Sequence, residues 1–178
     1  MNILKSKSIQ FRLIDEEDAE FVLSLRLDPR YNSFLSQVGA DLDSQKKWIH
    51  SYKKDEKQGV QYYFIIEKLD GTRCGTVRLY DFKNESFCWG SWILNEDKTQ
   101  YSALESAFLV YKIGFEELNF KKCHFDVRKG NQQVISFHEK LGASRTGEDN
   151  DNLYFEIVPE TISAMKKKYN RILLPQNL

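Results

Sequence analysis

The sequence predicts one mixed α/β (α+β) domain with about six or seven strands and about four helices. The chain has 178 residues and 41% hydrophobic content, so it can bury one sizeable core and does not need two. Apolar residues alternate with period two in several stretches, and between those stretches they recur at three- and four-residue spacing. The resulting element order is βααβββαβαββ, followed by a C-terminal helix. We expect a domain over residues 1–160 and a basic helix or tail over residues 161–178.

The first part of the chain predicts one strand and two helices. Residues 9–13 alternate between apolar and polar side chains, as a half-buried strand does. Asp15 then begins a helix with an acidic first turn, and that helix stops at Asp28-Pro29. A second, lysine-rich helix is expected over residues 44–54.

Three consecutive strands follow. The run VQYYFIIEKL ends at Asp70-Gly71, a dipeptide typical of a type I′ hairpin, and RCGTVRLYDF returns beside it. The third strand, SFCWGSWIL, is interrupted by Gly90. A glycine in the middle of a strand indicates a bulge or the close approach of another backbone or a ligand.

The spacing of apolar residues changes twice in the last part of the chain. Apolar residues return at helical spacing from Gln100 to Leu118, and residues 122–127 form a strand. Asn131 opens an amphipathic helix that Gly142 ends. A final hairpin then pairs residues 143–146 with residues 154–158.

Charge and cysteine usage narrow the class of partner. The 26 basic residues balance 26 acidic ones, so we expect neither nucleic acid nor a membrane surface as a partner. The three cysteines lie far apart in apolar runs, which predicts reduced buried thiols and no metal site. The N-terminus lacks a signal-peptide pattern, so we expect a cytoplasmic protein. Exposed aromatic strands permit a homodimer without requiring one.

Three passages together resemble the GNAT superfamily of acyl-CoA-dependent N-acyltransferases. The first is the strand with Gly90 that leads into Trp92-Ile93-Leu94. The second is KTQYSALESAF, at the position of the pyrophosphate loop Q/R-x-x-G-x-G/A of that family. The third is Asn131 to Gly142, which is similar to the family's N-x-x-A/S-x-x-F-Y-x-K-x-G-F. The likeness covers about Ile9 to Val158.

The resemblance implies acetyl-CoA as cosubstrate and an acetyl group moved to a primary amine by direct attack in a ternary complex. Tyr101 replaces the first loop glycine, but a helix N-terminus still offers free N–H groups to a diphosphate. Asn131 is expected to contact the coenzyme, to cap its own helix, or both. The implied coenzyme-binding residues are Trp92, Ile93, Leu94, Lys98, Gln100, Tyr101, Ser102, Ala103 and Asn131.

His138 stands where many relatives have the tyrosine that protonates the departing thiolate. With an ordinary pKa of about 6.5, an imidazole can supply that proton near neutrality. Because His138 lies on the apolar side of its helix, a purely structural role is the alternative. Ser136 is a second possible donor, and Glu85 is one of several candidates for a general base.

The passage from Leu25 to His50 resembles GNAT enzymes that acetylate amino sugars on nucleotide carriers. Arg30, Tyr31, Phe34 and Trp48 are the acceptor-binding residues that this likeness implies. The branch that acetylates ribosomal-protein N-termini has a similar first half, and other small amines stay open as acceptors. The replacement of the loop glycine by tyrosine also leaves open a non-catalytic acyl-CoA-binding module.

Overall fold

A computed structural model describes residues 3–173 and places them in one eight-stranded sheet with helices on both faces. The order of strands in the sheet is β1-β2-β3-β4-β5-β6-β8-β7, and β5 and β6 are parallel whereas the other neighbours are antiparallel. The strands are β1 (Leu4–Lys5), β2 (Ile9–Leu13), β3 (Tyr62–Lys68), β4 (Arg73–Lys83), β5 (Ser86–Leu94), β6 (Lys122–Arg128), β7 (Ser144–Glu148) and β8 (Asn152–Ile157).

Seven α-helices connect or follow these strands within residues 3–173. They are α1 (Ala19–Leu27), α2 (Pro29–Asn32), α3 (Leu42–Lys57), α4 (Ser102–Tyr111), α5 (Gln132–Lys140), α6 (Pro159–Lys168) and α7 (Asn170–Leu173). Among these described residues, no helix is both long and apolar enough to cross a bilayer.

The sheet separates two apolar layers, because successive side chains of a strand point to opposite faces. On β3, Phe64 and Ile66 belong to the larger cluster, which includes α4, α5 and α6. Tyr63 and Ile65 belong to the smaller cluster, which includes α1 and α3. The helices α1 and α3 therefore cover one face of the sheet, and α4 and α5 cover the opposite face.

The mixed α/β class is confirmed, and four details of the sequence prediction are corrected. The sheet has eight strands because the short β1 precedes the predicted first strand. Only Gly71 of the predicted type I′ turn has a positive φ, +86°, whereas that turn needs two such residues. The long helix after Gln100 continues as a π-helix over Lys112–Glu117. The tail forms α6 and α7, and residues 174–178 lie outside the described residues.

Candidate active site

Strands β5 and β6 separate after a short parallel contact. They pair only at Ser86 with Lys122 and at Phe87 with Cys123, although β5 continues to Leu94 and β6 to Arg128. Beyond Phe87, the edges of the two strands that face each other therefore lack a ladder partner within the described chain. An extended molecule can supply the missing hydrogen bonds in such a gap.

A bulge bends β5 beside this gap. Thr76 of β4 pairs with Ile93 and Arg78 pairs with Gly90, so two residues of β5 oppose one residue of β4. Ser91 has a φ of +47°, and the Thr76 hydroxyl donates a hydrogen bond of 3.0 Å to its carbonyl oxygen. The left-handed residue of the bulge is therefore Ser91, next to the glycine that the sequence pattern pointed to.

Gly90 is needed for another reason. A Cβ at this position would lie 3.0 Å from the hydroxyl oxygen of Tyr80 on the neighbouring strand. That distance is shorter than an ordinary van der Waals contact, so a side chain here would displace the tyrosine. The glycine thus permits a close approach across β4 and β5, and the bulge beside it turns the backbone of Trp92, Ile93 and Leu94.

The N-terminus of α4 presents free backbone donors. The N–H groups of Gln100, Tyr101, Ala103 and Leu104 have no hydrogen-bond acceptor within residues 3–173, whereas that of Ser102 donates to the Thr99 carbonyl at 3.2 Å. Four free N–H groups in one loop and helix end suit a diphosphate, because they add to the positive end of the helix dipole. The loop therefore presents donors suited to a diphosphate, although Tyr101 stands in place of the usual glycine.

Side chains of this loop have unequal access to a ligand. Ser102 is fully buried, and its hydroxyl accepts the Thr99 N–H at 2.8 Å, so it holds the loop together. Lys98 is exposed and donates to the Asn95 carbonyl at 3.3 Å. Tyr101 is 39% exposed with a φ of −110°, a backbone conformation that does not require glycine.

Asn131 caps α5. Its side-chain oxygen accepts the Val134 N–H at 3.4 Å, a long hydrogen bond that leaves the amide nitrogen free. The capping role that the sequence proposed is therefore present, and a contact with the coenzyme stays a prediction.

His138 lies against aromatic rings at the gap between β5 and β6. Its ring centroid is 4.3 Å from that of Phe125 on β6 and 5.3 Å from that of Trp89 on β5. Burial lowers the pKa of His138 to about 3, since the charged form loses its hydration. The side chain is therefore neutral near pH 7, and the ordinary pKa assumed from the sequence does not apply.

The Nδ1 atom of His138 is buried without a hydrogen-bond partner among the described residues. An unpaired buried polar atom costs roughly 1–3 kcal/mol, and such atoms are rare in folded proteins. A structural histidine normally has a partner for each buried nitrogen, so this ring is not explained by packing alone.

The other two catalytic candidates lie away from the bulge. Glu85 is in the turn before β5, six residues from Ser91; at about 3.3 Å per residue this separation is roughly 20 Å, so this position gives no support to Glu85 as a base at the bulge. Ser136 is two positions from His138 on α5, which places it about 200° around the helix. Ser136 therefore faces away from the side of α5 that His138 presents to the gap.

A cavity of about 320 Å³ lies on the other face of the sheet, between α1, α3 and the loop that precedes α3. Trp48 of α3, Arg78 of β4 and Ser91 of the bulge are among its lining residues. Its volume lies in the range of about 300–1,000 Å³ that is usual for small-molecule sites. The cavity therefore connects the exposed side of α3 to the strand beside the gap.

The four acceptor residues proposed from sequence are not brought together. Trp48 lines the cavity, whereas Arg30 and Tyr31 line a separate, open hollow of about 540 Å³. Arg30 is also paired with Asp28 at 2.7 Å and with Glu96 at 2.6 Å. Phe34 lies against Gly130, which follows β6, and a Cβ added there would be 3.1 Å from its ring.

Arg26 and Arg78 both line the cavity, although neither was among the acceptor-binding residues proposed from sequence. A signal was present for Arg78, because it interrupts a run of small and apolar residues in a strand whose neighbours Val77 and Leu79 are buried. A charge at such a position faces the opposite layer, which here is the acceptor side. Arg26 lies in the passage from Leu25 to His50, where Leu25, Arg26 and Pro29 match the pattern L/W-R-x-x-P of amino-sugar GNAT enzymes, so that resemblance was the signal for it.

Comparisons with known proteins identify the family. A family model for the acetyltransferase (GNAT) domain matches residues 8–144. The solved structure of apo FdhC, a nucleotide-linked sugar GNAT, is 47% identical, with a TM-score of 0.90 over 97% of this chain and 99% of that chain. The chain therefore belongs to the GNAT acetyltransferase family and is an acyltransferase.

Two more distant structures share the fold. The ribosomal-protein-S5-alanine acetyltransferase from Vibrio fischeri is 14% identical, with a TM-score of 0.76 over 89% of this chain and 97% of that chain. The spermidine N-acetyltransferase from Vibrio cholerae, in complex with CoA and spermine, is 16% identical, with a TM-score of 0.74 over 87% of this chain and 98% of that chain. A search of curated proteins found no significant match.

Proposed function

We propose that the protein transfers the acetyl group of acetyl-CoA to the primary amine of an amino sugar carried by a nucleotide. The observation that carries the proposal is the position of Ser91, which belongs both to the β5 bulge and to the lining of the cavity on the acceptor face. An amine bound in the cavity thus reaches the strand against which the acyl chain would extend. The 47% identity to a nucleotide-linked sugar GNAT supports the class of acceptor.

In this proposal the coenzyme lies across the gap between β5 and β6. Its diphosphate binds the free N–H groups at the start of α4, and its pantetheine arm runs along Trp92, Ile93 and Leu94. A free N–H of β5 near these residues stabilises the thioester oxygen as negative charge develops on it.

The amine nitrogen attacks the thioester carbon, and the tetrahedral adduct then loses the thiolate as the carbon–sulfur bond breaks. The nitrogen releases one proton and the sulfur gains one, so no further reactant is needed. Because His138 is neutral, we assign it a hydrogen bond from its N–H to the departing sulfur, not delivery of a proton from an imidazolium.

The test is a screen for thiol release from acetyl-CoA with four classes of amine: nucleotide-linked amino sugars, free amino sugars, N-terminal peptides and polyamines. We expect turnover to be highest with a nucleotide-linked amino sugar. The same nucleotide sugar with a hydroxyl in place of the amine is the matched control and should give none.

Turnover on a peptide or polyamine with none on any nucleotide-linked amino sugar would overturn the choice of acceptor. Stabilisation by acetyl-CoA in a thermal melt, without turnover on any amine, would instead indicate a non-catalytic binding module. The melt detects this because a ligand that binds only the folded state raises stability.

A further inference from the structure

Arg26 and Arg78 reach the acceptor cavity from different elements. Arg26 is in the last turn of α1, and Arg78 is in the middle of β4. Burial raises the pKa of the Tyr63 hydroxyl, and the positive charges of both arginines oppose that rise. Tyr63 lines the same cavity as the two arginines, so the wall of the cavity carries two positive charges.

Neither guanidinium pairs with a carboxylate among residues 3–173. Arg26 donates to the Ser36 carbonyl and hydroxyl oxygens at 2.6 and 2.8 Å, and its Nε is buried without a partner. Arg78 donates from its Nε to the Gln61 side-chain oxygen at 2.6 Å. Its two terminal nitrogens have no hydrogen-bond partner within the described chain.

Arg12, a partly buried arginine elsewhere in this protein, has carboxylate partners. It pairs with Asp18 and with Glu67, both at 2.6 Å. Burying a charge without a partner is costly, so the two cavity arginines retain a cost that Arg12 avoids. An anion that enters the cavity would remove this cost.

The nearby carboxylates are already occupied. Asp41 lines the cavity, but its oxygens accept N–H groups at the start of α3 and the Ser44 hydroxyl. Asp55 accepts the Gln61 amide at 2.6 Å, so one amide separates it from Arg78. Neither acid therefore forms an ion pair with Arg26 or Arg78 among the described residues.

Aromatic rings hold Arg78 in place. Its guanidinium carbon is 4.9 Å from the ring centroid of Tyr80 and 5.6 Å from that of Trp48. Stacking orients the planar group and leaves its two terminal nitrogens for a ligand. Together with Nη1 of Arg26, which has no hydrogen-bond partner within residues 3–173, they suit phosphate oxygens. Trp48 is 40% exposed and lines the same cavity, and the ring of Tyr52 is stacked beside it with a centroid distance of 5.7 Å.

From these contacts we infer that Arg26 and Arg78 bind the diphosphate of the acceptor, and so select nucleotide-linked amines over neutral ones. This inference rests on the proposed function, because it assumes that the amine to be acetylated carries a diphosphate. The coenzyme is the other source of a diphosphate. Its expected site at the start of α4 is associated with the opposite apolar layer.

The test compares Arg26→Met, Arg78→Met and Arg78→Lys with wild type. Arg171→Met, an exposed arginine on α7, is the control for loss of one positive charge. We measure KM separately for a nucleotide-linked amino sugar, for the same amino sugar without the nucleotide, and for acetyl-CoA. Thermal melts check folding, and Arg78→Lys supplies a readout if either methionine variant does not fold.

We expect each methionine variant to raise KM for the nucleotide-linked acceptor by about tenfold or more, since one or more charge-assisted hydrogen bonds to phosphate are lost. Arg78→Lys should raise it less. KM for the free amino sugar and for acetyl-CoA should stay within about twofold, and Arg171→Met should resemble wild type. A rise in KM for acetyl-CoA alone would assign the arginines to coenzyme binding and overturn the inference.

A binding measurement separates this inference from the proposed function. Uridine and thymidine diphosphate are titrated by calorimetry into wild type and Arg78→Met, both saturated with coenzyme A. If wild type binds these diphosphates and Arg78→Met does not, the result supports the arginine site even if no amino sugar is turned over. If the variants turn over a nucleotide-linked amino sugar with an unchanged KM, the arginine site is wrong. The proposed function is then still supported.

Discussion

The two walls of the site are built by different means. On the coenzyme side, Gly114 of the π-helix packs so closely on Phe87 of β5 that an added Cβ would lie 2.1 Å from the ring. On the acceptor side, Gly39 lines the cavity and has no atom within 4 Å of the position of a Cβ. Close packing fixes the first wall, whereas a loop and two arginines form the second. A substitution in the acceptor wall is therefore expected to cost the core less than one at Gly114.

The largest effect that we expect from this difference is on stability. Gly114→Ala gains about 1 kcal/mol of helix propensity, but its methyl group overlaps the fully buried ring of Phe87. Overpacking of a rigid site costs about 1–3 kcal/mol or more, and a 2.1 Å approach belongs at the upper end. We expect a net loss of about 2 kcal/mol in the free energy of unfolding, measured by urea titration.

Gly39→Ala is the matched control, with the same added methyl group on the acceptor wall. It should change the free energy of unfolding by less than about 0.5 kcal/mol. Equal effects of the two substitutions would show that the walls do not differ in packing.

The next effect is on catalysis at the coenzyme wall. His138→Phe keeps an aromatic ring among Trp89 and Phe125 but removes the N–H that we assign to the departing sulfur. We expect kcat to fall by about 10- to 100-fold, with stability at pH 7 unchanged or improved because an unpaired nitrogen is removed. His138→Tyr restores a donor and should recover part of kcat. Full activity in His138→Phe would leave His138 a packing residue.

The same substitution tests the neutral state of the ring. The pKa of His138 is about 3 in the folded protein and about 6.5 when unfolded, so protons bind the unfolded chain more readily between these values. Its contribution to stability is complete above pH 6.5 and decreases as pH falls toward 3, by up to about 1.4 kcal/mol per pH unit. His138→Phe should lose less stability than wild type between pH 6.5 and 4.5. Equal losses of stability in His138→Phe and wild type over this range would contradict the lowered pKa of His138.

The sequence predicted the elements of the proposed coenzyme wall better than the cavity on the acceptor face, for a physical reason. The spacing of apolar residues and the capping of helices are local properties of the sequence. The strand around Gly90 and the helix from Asn131 could therefore be recognised from neighbouring residues. The acceptor cavity depends on contacts between residues far apart in the chain. Arg26 and Arg78 are 52 positions apart, and no local pattern shows that they line the same cavity.

Burial also changed the chemistry that sequence alone assigned. His138 was placed correctly on the buried side of its helix, but its pKa depends on rings from β5 and β6. Arg30 has the same charge as Arg78, yet Asp28 and Glu96 neutralise it. The residue type gives the possible chemistry, and tertiary neighbours decide which of it is available.

The smallest effect that we expect concerns Tyr101, which replaces the usual loop glycine. Its φ of −110° needs no glycine, its N–H is free, and its side chain is 39% exposed beside the donors. Tyr101→Gly should therefore change the Kd of acetyl-CoA by less than about threefold, measured by calorimetry, because the backbone donors are the same in both proteins. Lys98→Met, which removes a charge from the same loop, should weaken binding more. If the glycine variant binds acetyl-CoA more than about tenfold tighter, the tyrosine side chain obstructs the diphosphate, and free N–H groups alone do not define this wall.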